Sequence, residues 1–214
     1  MSNAMQEIRK EYHRARLLET IVPDDPQELF SQWLAQAIAA GIHEPNAMTV
    51  ATADAQGRPS ARTILLKDFD ARGFCFYTNY TSRKARELAE NPWATLLFWW
   101  GPLERQVRIE GQVARVAETE SDAYFASRPL GARLGAWVSP QSQEIPDRAF
   151  LEARLAEVEA EFAGEQPPRP PDWGGYRLMP TALEFWQGGP HRLHDRLIYV
   201  RRADGGWDIR RLAP

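Results

Sequence analysis

The sequence predicts a mainly β (α+β) fold: an antiparallel barrel or sheet with peripheral helices, in one domain. Short apolar segments alternate with Gly-bearing turns along most of the chain, which is typical of antiparallel hairpins. The regular strand–helix alternation of a parallel sheet does not occur. A chain of 214 residues with 43% hydrophobic and 26% charged residues has the length and composition of a soluble domain with its own core.

Helices are predicted from start signals and apolar spacing. The segment Asp25-Pro26-Gln27-Glu28 combines an N-cap Asp, a Pro in the first turn and an acidic residue three positions after the cap. Apolar residues then recur at helical spacing from Phe30 to Ile38, and Gly41 ends the helix. Further helices are expected over 8–18, 82–91, 119–127 and 150–162.

Strands are predicted where β-formers lie between turn residues. In the segment 104–116, Val107 and Ile109 share one face while Gln106 and Arg108 share the other, as in a half-buried strand. A Pro-rich linker is expected over 166–171. The predicted strands are 48–52, 61–67, 74–79, 94–100, 104–116, 183–187, 193–201 and 207–212.

Composition and charge exclude several functions. A single Cys75 excludes a disulfide framework and a cysteine-rich zinc site, and it fits a reducing cytoplasm. The apolar segments are shorter than the roughly 20 residues that a membrane span needs, and the charged N terminus is not a secretory signal. A net charge of −3 argues against nucleic acid as a partner. No metal site and no membrane association are expected.

A helix start with the wrong charge is the first candidate site. Arg83 and Lys84 follow Ser82 in the first turn, where the helix dipole disfavours cations. An anion bound to the free backbone N–H groups, the Ser82 hydroxyl and both cations would offset that cost. The alternative is a basic turn that is simply solvated.

The segment His191-Arg192-Leu193-His194-Asp195-Arg196 is the second candidate. On a strand, Arg192, His194 and Arg196 would point to one face, where they repel one another unless an anionic or polar ligand lies between them. A metal site from the two His residues is disfavoured, because three positions apart on a strand they face opposite ways. An edge strand protected by charged residues is the alternative.

The basic ends of the segment 62–67 are the third candidate. In a regular strand Arg62 and Lys67 face opposite sides, so one ligand can use both only through a bulge or through different parts of that ligand. A strand whose basic ends reach solvent is the alternative. Gln141-Ser142 and the segment 186–189 add polar and aromatic groups beside Gly, where a flat ligand could approach the backbone.

From about Ile8 to Pro214 the chain resembles the pyridoxine (pyridoxamine) 5′-phosphate oxidase family. The C-terminal segments are the most specific, since other flavin-binding split barrels generally lack them. The resemblance is carried by RTILLK (62–67), FYTN (76–79), SRKA (82–85), ERQVRIEG (104–111), YFASRP (124–129), GAWVSPQS (135–142), FWQGG (185–189), HRLHDR (191–196) and RLAP (211–214).

The resemblance implies a split β-barrel homodimer with one FMN per subunit, bound in clefts at the dimer interface. The implied reaction is oxidation of pyridoxine 5′-phosphate or pyridoxamine 5′-phosphate to pyridoxal 5′-phosphate, with O2 as acceptor and H2O2 as product. Residues 25–214 would form the domain, including a dimerisation region over about 173–214. Residues 5–24 would form a mobile N-terminal segment, and residues 1–4, which precede a second Met, are typical of an expression scar.

The resemblance also assigns residues. Arg192 and His194 would be catalytic. One position departs from the family, since Ala132 stands where members often have a Ser near the substrate phosphate; the neighbouring Arg133 could compensate. The implied FMN contacts are Arg62, Thr63, Ile64, Leu65, Leu66, Lys67, Tyr77, Thr78, Arg83, Lys84, Gln106, Gln141, Ser142, Trp186 and Arg196, to which the helix-start argument adds Ser82. The implied substrate contacts are Lys67, Tyr124, Arg128, Arg192 and His194, with Arg9 and Tyr12 on a lid.

Two other functions remain open at this point. A related FMN oxidase could act on another ring substrate, as in phenazine-type biosynthesis, although HRLHDR and YFASRP argue against it. A non-enzymatic split barrel that binds flavin or haem would keep the strands but would not need Arg128, Arg192 and His194.

Overall fold

The structure, a computed structural model, describes Tyr12 and residues 16–214. These residues form two compact units. The first unit consists of the described residues within Met1–Val50, Thr95–Gly111 and Pro180–Pro214. The second unit consists of Ala51–Ala94 and Gln112–Met179. Residues 1–4 and most of the predicted helix over 8–18 lie outside the described residues.

Helices occur at four of the predicted places and at one more. Asp25 caps the first, because its Oδ1 accepts the Gln27 N–H at 2.9 Å. Asp147 caps the last in the same way through the Phe150 N–H at 2.9 Å. The described helices are α1 (Pro26–Ala39), α2 (Arg83–Glu90), α3 (Glu118–Ser127), α4 (Leu130–Val138) and α5 (Arg148–Glu161). Within the part of the chain that the structure describes, none is long and apolar enough to cross a membrane.

The strands form a nine-stranded sheet in the order β2-β1-β5-β6-β7-β4-β3, with β8 paired to β7 and β9 paired to β8. The pairings of β3 with β4, β4 with β7, β7 with β8 and β8 with β9 are antiparallel. The strands are β1 (Ala47–Ala53), β2 (Pro59–Leu65), β3 (Asp68–Asp70), β4 (Gly73–Asn79), β5 (Trp93–Trp100), β6 (Arg105–Arg115), β7 (Trp173–Gln187), β8 (Asp195–Arg201) and β9 (Trp207–Arg211).

The core of the first unit is aromatic. Phe30 of α1 packs edge-on against Phe98 of β5, with ring centroids 5.1 Å apart. Trp33 packs edge-on against Phe185 of β7 at 5.3 Å, and the Arg105 guanidinium covers the Trp33 ring at 4.4 Å. The apolar face of α1 predicted from helical spacing is therefore buried at Phe30 and Trp33, but the prediction is wrong for Ile38, which is 61% exposed.

The second unit pairs β4 with β7 from Phe74↔Leu178 to Asn79↔Trp173. Gly73 begins β4 with φ 132°, and a Cβ there would meet the Leu178 carbonyl oxygen at 2.0 Å, so only glycine fits. A separate cluster joins α4 to α5 through Leu134, Val138 and Val158.

The structure corrects three strand boundaries and adds strand β3 and a helix that were not predicted. Strand β2 ends at Leu65, and Lys67 lies in the connection to β3 with its N–H donated to the Cys75 carbonyl at 2.9 Å. Strand β7 is a 15-residue strand of which only 183–187 was predicted, and helix α4 was not predicted at all. Strand β8 begins at Asp195 and not at 193, because 190–192 form a 3-10 turn.

Candidate active site

The N terminus of α2 in the second unit holds a buried lysine. Lys84 is 5% exposed, and its Nζ donates to Thr78 Oγ1 at 2.8 Å, to Gln141 Oε1 at 3.1 Å and to Ser82 Oγ at 3.4 Å. Thr78 Oγ1 in turn donates to Gln141 Oε1 at 2.7 Å. The described hydrogen-bond partners of this ammonium are therefore all neutral. Sequence analysis assigned these four residues to one ligand, and the structure brings them together.

Burial, and then the charge of Arg62, lowers the pKa of Lys84 from 10.5 to about 8, and the charge of Glu87 opposes this change. Ser82 is the N-cap of α2 and is fully buried, yet its side chain makes no cap hydrogen bond. A buried cation with neutral partners, at a helix start whose N-cap side chain leaves the first backbone N–H groups uncapped, is a site suited to an anion.

The other cation of this first turn points elsewhere. Arg83 Nε donates to Glu87 Oε1 at 2.8 Å, one turn along α2. Arg62 of β2 binds Thr52 and Ser60, at 2.6 Å and 2.5 Å. The Arg83 side chain is therefore directed to Glu87 and not to the groups around Lys84, and the binding of an anion by these two cations stays a prediction.

The remaining residues of 62–67 differ in their exposure to solvent. Because β2 ends at Leu65, the argument that Arg62 and Lys67 face opposite sides of one regular strand does not apply. Leu66 is buried and Lys67 is exposed. Ser142 is also exposed and has a left-handed backbone with φ 69°. Thr63 is exposed, while Ile64 and Leu65 are half-buried.

Three stacked aromatic rings form the second group in this unit. Tyr77 stacks on Tyr124 with ring centroids 3.8 Å apart, and Trp173 lies 5.6 Å from Tyr77 with nearly parallel planes. The Arg128 guanidinium lies 4.7 Å from the Trp173 ring centre. The family resemblance assigns Tyr77 and Tyr124 to different ligands. Trp173 was not predicted as a site residue, although the presence of eight Trp residues in the chain was a signal.

Two guanidinium groups of the second unit, one of them the Arg128 group beside this stack, have unpaired nitrogens. Nη1 of Arg128 and Nε of Arg133 are buried and have no hydrogen-bond partner among the described residues. Burial lowers the pKa of Arg128 and raises that of Tyr124. A buried donor without an acceptor costs free energy that a bound anion would recover. Ala132, half-buried on α4, contributes no hydroxyl.

The first unit holds a cluster around His194. Its ring lies 4.7 Å from that of Trp186, and Tyr12 packs edge-on against both at 5.8 Å. The Gly189 N–H donates to His194 Nδ1 at 3.2 Å, which leaves Nε2 as the protonated nitrogen of the neutral ring. Burial, and then the charge of Arg192, lowers the pKa of His194, so the ring is neutral at pH 7. Arg9 lies outside the described residues.

The predicted single face of Arg192, His194 and Arg196 is wrong. Arg192 is exposed in the 3-10 turn before β8, with a left-handed backbone at φ 63°, so strand alternation does not reach it. Arg196 lies on β8 and donates to Glu184 Oε1 at 2.7 Å and to the Ala213 carbonyl at 2.8 Å.

A cavity of about 260 Å³ in the first unit collects several of the predicted FMN contacts. Glu184, 4% exposed, binds Arg196 and also accepts Arg108 Nη2 at 2.6 Å. Sequence analysis missed Arg108, Glu184 and Pro214 as lining residues; the polar face of β6 was the available signal. The cavity is lined by Gln106, Arg108, Glu184, Trp186, Arg196 and Pro214.

No group of three or more His, Cys, Asp or Glu side chains within the described residues could hold a metal ion. The donors at both places are instead ammonium, guanidinium, amide and hydroxyl groups, together with aromatic faces. Such groups bind flat, phosphorylated organic ligands.

Comparisons with known proteins agree on one family. The family model described as pyridoxamine 5′-phosphate oxidase matches residues 34–162. A second, described as the pyridoxine 5′-phosphate oxidase C-terminal dimerisation region, matches residues 173–214. A pyridoxine/pyridoxamine 5′-phosphate oxidase of Bordetella petrii is 59% identical over 99% of this chain and 100% of its own length. One from Ralstonia nicotianae is 60% identical over 99% of both chains.

Solved structures include two informative neighbours. PhzG from Burkholderia lata, in complex with tetrahydrophenazine-1-carboxylic acid, is 38% identical with a TM-score of 0.88, over 94% of this chain and 100% of its own. A pyridoxamine 5′-phosphate oxidase-related, FMN-binding protein from Nostoc punctiforme is 18% identical with a TM-score of 0.70, over 90% of this chain and 100% of its own, and shows the fold alone.

The fold and these matches define the class as an oxidoreductase built on the split β-barrel, which confirms the predicted fold class. The chain belongs to the pyridoxamine 5′-phosphate oxidase family.

Proposed function

We propose that this chain is an FMN-dependent oxidase that converts pyridoxine 5′-phosphate or pyridoxamine 5′-phosphate to pyridoxal 5′-phosphate, with O2 as acceptor and H2O2 as product. The observation that carries the proposal is Lys84, a buried ammonium with neutral partners at the start of α2. A phosphate monoester supplies the missing negative charge. The names of the relatives support the substrate class.

The phosphate of FMN would bind at Lys84, the Ser82 hydroxyl and the first N–H groups of α2, with Arg62 beside them. Gln106, Trp186 and Arg196, which line the cavity of the first unit, are assigned to FMN by the family resemblance alone. When bound, FMN supplies the chemistry by accepting a hydride from the substrate C4′ carbon. The protein's own contribution is to hold the ring and to place cationic donors near it.

The substrate phosphate would bind where guanidinium donors are unpaired. Arg128 Nη1 is buried without a partner among the described residues, and Tyr124 lies in the same aromatic group. Lys67 is exposed and free to turn toward a ligand. Because Arg133 Nε is also buried and unpaired, it is a second donor in place of the hydroxyl that Ala132 lacks.

His194 would orient the substrate as a donor. While its Nδ1 accepts the Gly189 N–H, the neutral ring carries its proton on Nε2. Nε2 can therefore donate a hydrogen bond to an oxygen or nitrogen of the substrate ring. Arg192, exposed in the turn before β8, would cover the substrate on the side that faces solvent.

The assembly would be a homodimer, which the match to a dimerisation region over residues 173–214 supports. The cytoplasmic location stays a prediction from the sequence.

Reconstitution tests this function. The purified chain is incubated with FMN, and its visible spectrum and its mass by light scattering are recorded. Pyridoxal 5′-phosphate formation and O2 uptake are then measured with each substrate. We expect a yellow dimer that forms product with both. A colourless monomer, or a yellow dimer without product, refutes the proposal.

A second candidate function has one observation in its favour, the 38% identity to PhzG at a TM-score of 0.88. The chain would then oxidise a reduced phenazine carboxylic acid. The identities near 60% to pyridoxine/pyridoxamine 5′-phosphate oxidases favour the first function. The same reconstituted protein, assayed with tetrahydrophenazine-1-carboxylic acid, separates the two.

A further inference from the structure

A buried carboxylate lies behind the proposed phosphate site, and none of the site assignments above uses it. Glu87 of α2 is 5% exposed. Its Oε1 accepts Arg83 Nε at 2.8 Å, and its Oε2 accepts the hydroxyls of Thr52 and Ser60, both at 2.5 Å. Burial alone would raise the pKa of Glu87, but these hydrogen bonds, from Ser60 first, and the charge of Arg62 lower it to about 2. The group is therefore an anion at every pH of interest.

The two hydroxyls connect Glu87 to Arg62. Arg62 Nη1 donates to Thr52 Oγ1 at 2.6 Å, and Nη2 donates to Ser60 Oγ at 2.5 Å. The direct separation of Nη2 from Glu87 Oε2 is longer, at 3.5 Å. The guanidinium is thus held mainly by the hydroxyls and not by the carboxylate itself.

The direction of these hydrogen bonds follows from the proton count. Each hydroxyl has one proton, and an ionised carboxylate can only accept, so Thr52 and Ser60 both point their protons at Glu87. Their lone pairs are then turned toward Arg62, which can only donate. One carboxylate therefore fixes two acceptors, and these fix the plane of the guanidinium.

Arg62 in turn affects Lys84, the cation at the N terminus of α2. Its charge is among the causes that lower the pKa of Lys84, and Glu87 is among those that oppose it, so the three charges influence one another. An Arg62 held by its two Nη atoms keeps its remaining N–H groups for a ligand.

We propose that Glu87 is a positioning residue that acts through Thr52 and Ser60 to hold Arg62 in place for the FMN phosphate. The inference rests on the proposed binding of FMN. It predicts an unusual sign: removing a negative charge from near a phosphate site weakens phosphate binding. If Glu87 acted only by charge, its removal would strengthen binding instead.

The test compares FMN with riboflavin, which lacks the phosphate, in Glu87→Gln. The amide has nearly the shape of the carboxylate, but one of its two ends is an NH2 donor. Turned toward Thr52 and Ser60 it opposes their hydroxyl protons, and turned toward Arg83 it meets an N–H that cannot accept, so one of the hydrogen bonds that order this group is lost in either orientation. We expect the Kd for FMN, from quenching of flavin fluorescence, to rise at least about fivefold, the loss of one oriented charge-assisted hydrogen bond. The Kd for riboflavin should stay within about twofold. Glu90→Gln, at the exposed end of the same helix, is the matched control and should change neither.

A double variant shows whether Glu87 works through Arg62. In an Arg62→Ala background, Glu87→Gln should not weaken FMN binding further, because the group that Glu87 positions is gone and only its negative charge remains to be removed. Thr52→Val removes one hydroxyl at nearly constant volume and should reproduce the loss of FMN binding with riboflavin retained, which keeps the idea testable if Glu87→Gln does not fold.

If the parent chain binds FMN, any of three results overturns this inference and leaves the proposed function intact. They are tighter or unchanged FMN binding in Glu87→Gln, an equal loss of affinity for FMN and riboflavin, and additive losses of FMN affinity from Glu87→Gln and Arg62→Ala. A parent chain that binds no FMN overturns the proposed function, and this inference with it.

Discussion

The pKa of Lys84 predicts how FMN binding changes with pH. In the ligand-free chain burial lowers this pKa to about 8, so above pH 8 the side chain is mostly neutral. The phosphate of FMN is a dianion from pH 7 upward and binds the ammonium form. FMN binding above pH 8 must therefore be accompanied by uptake of a proton, and its affinity should fall by about tenfold per pH unit well above pH 8.

The size of the effect follows from the fraction of protonated Lys84. Between pH 7 and pH 9 that fraction falls by about tenfold, which corresponds to about 1.4 kcal/mol of FMN binding free energy. The assay is titration of the apoprotein with FMN across this range, followed by flavin fluorescence. Riboflavin, which has no phosphate, controls for pH effects on the ring and the fold, and its affinity should change little.

Lys84→Gln is the second control, because it keeps a donor but cannot titrate. Its FMN affinity should be weaker at pH 7 and nearly independent of pH. Equal FMN affinities of the parent chain at pH 7 and pH 9, or a parallel fall for riboflavin, would refute the assignment of the phosphate to Lys84.

The same pKa has a consequence for folding. Between pH 8 and 10.5 the unfolded chain binds a proton at Lys84 that the folded apoprotein does not bind, so the free energy of unfolding rises with pH in this window. The gap corresponds to about 3 kcal/mol at most. The free energy of unfolding of the parent chain, measured with denaturant, should therefore rise relative to that of Lys84→Gln as the pH rises. A difference between the two chains that does not change with pH would contradict the burial of Lys84.

Three further predictions concern other residues. Arg192→Ala should still bind FMN but lose at least about tenfold in kcat/KM, and excess FMN should not restore this loss. A normal kcat/KM in steady-state kinetics at saturating FMN would contradict the prediction. Ala132→Ser should lower the KM for the phosphorylated substrate with little change in kcat, whereas an unchanged KM would mean that Arg133 or water already fills the role. Arg211→Gln should cost only about 1 kcal/mol in denaturant unfolding, because its pair with Glu19 is 37% and 44% exposed, and a loss above about 3 kcal/mol would contradict that screening.

The hairpin strands could be predicted because one buried face leaves a clear alternation. In β6, Val107 and Ile109 are fully buried while Gln106 and Arg108 are half-buried, as predicted. The length of β7 could not, because glycine is unfavourable within strands. The structure gives the reason for Gly174: a Cβ there would meet the Tyr80 hydroxyl oxygen at 2.2 Å.

The composition of the candidate site was predictable, but its internal contacts were not. The motifs named Thr78, Lys84 and Gln141 because they match the family. That Lys84 and Thr78 both contact Gln141 depends on residues 57 and 63 positions apart in sequence, which local patterns do not encode. Glu87 gave no signal, since an acidic residue within a short charged helix is ordinarily exposed.

The burial of the Cys75 thiol affects how resistant such an enzyme would be to oxidation by its own product, H2O2. Peroxide oxidises the thiolate and not the thiol. Cys75 is fully buried, and burial raises its pKa to about 12 even though the charge of Arg177 opposes this, so the thiolate is scarce at neutral pH. A chain that releases H2O2 at every turnover would thus keep its single cysteine reduced. Oxidative damage would instead begin at exposed sulfur such as Met179, which is 44% exposed and does not require deprotonation to react.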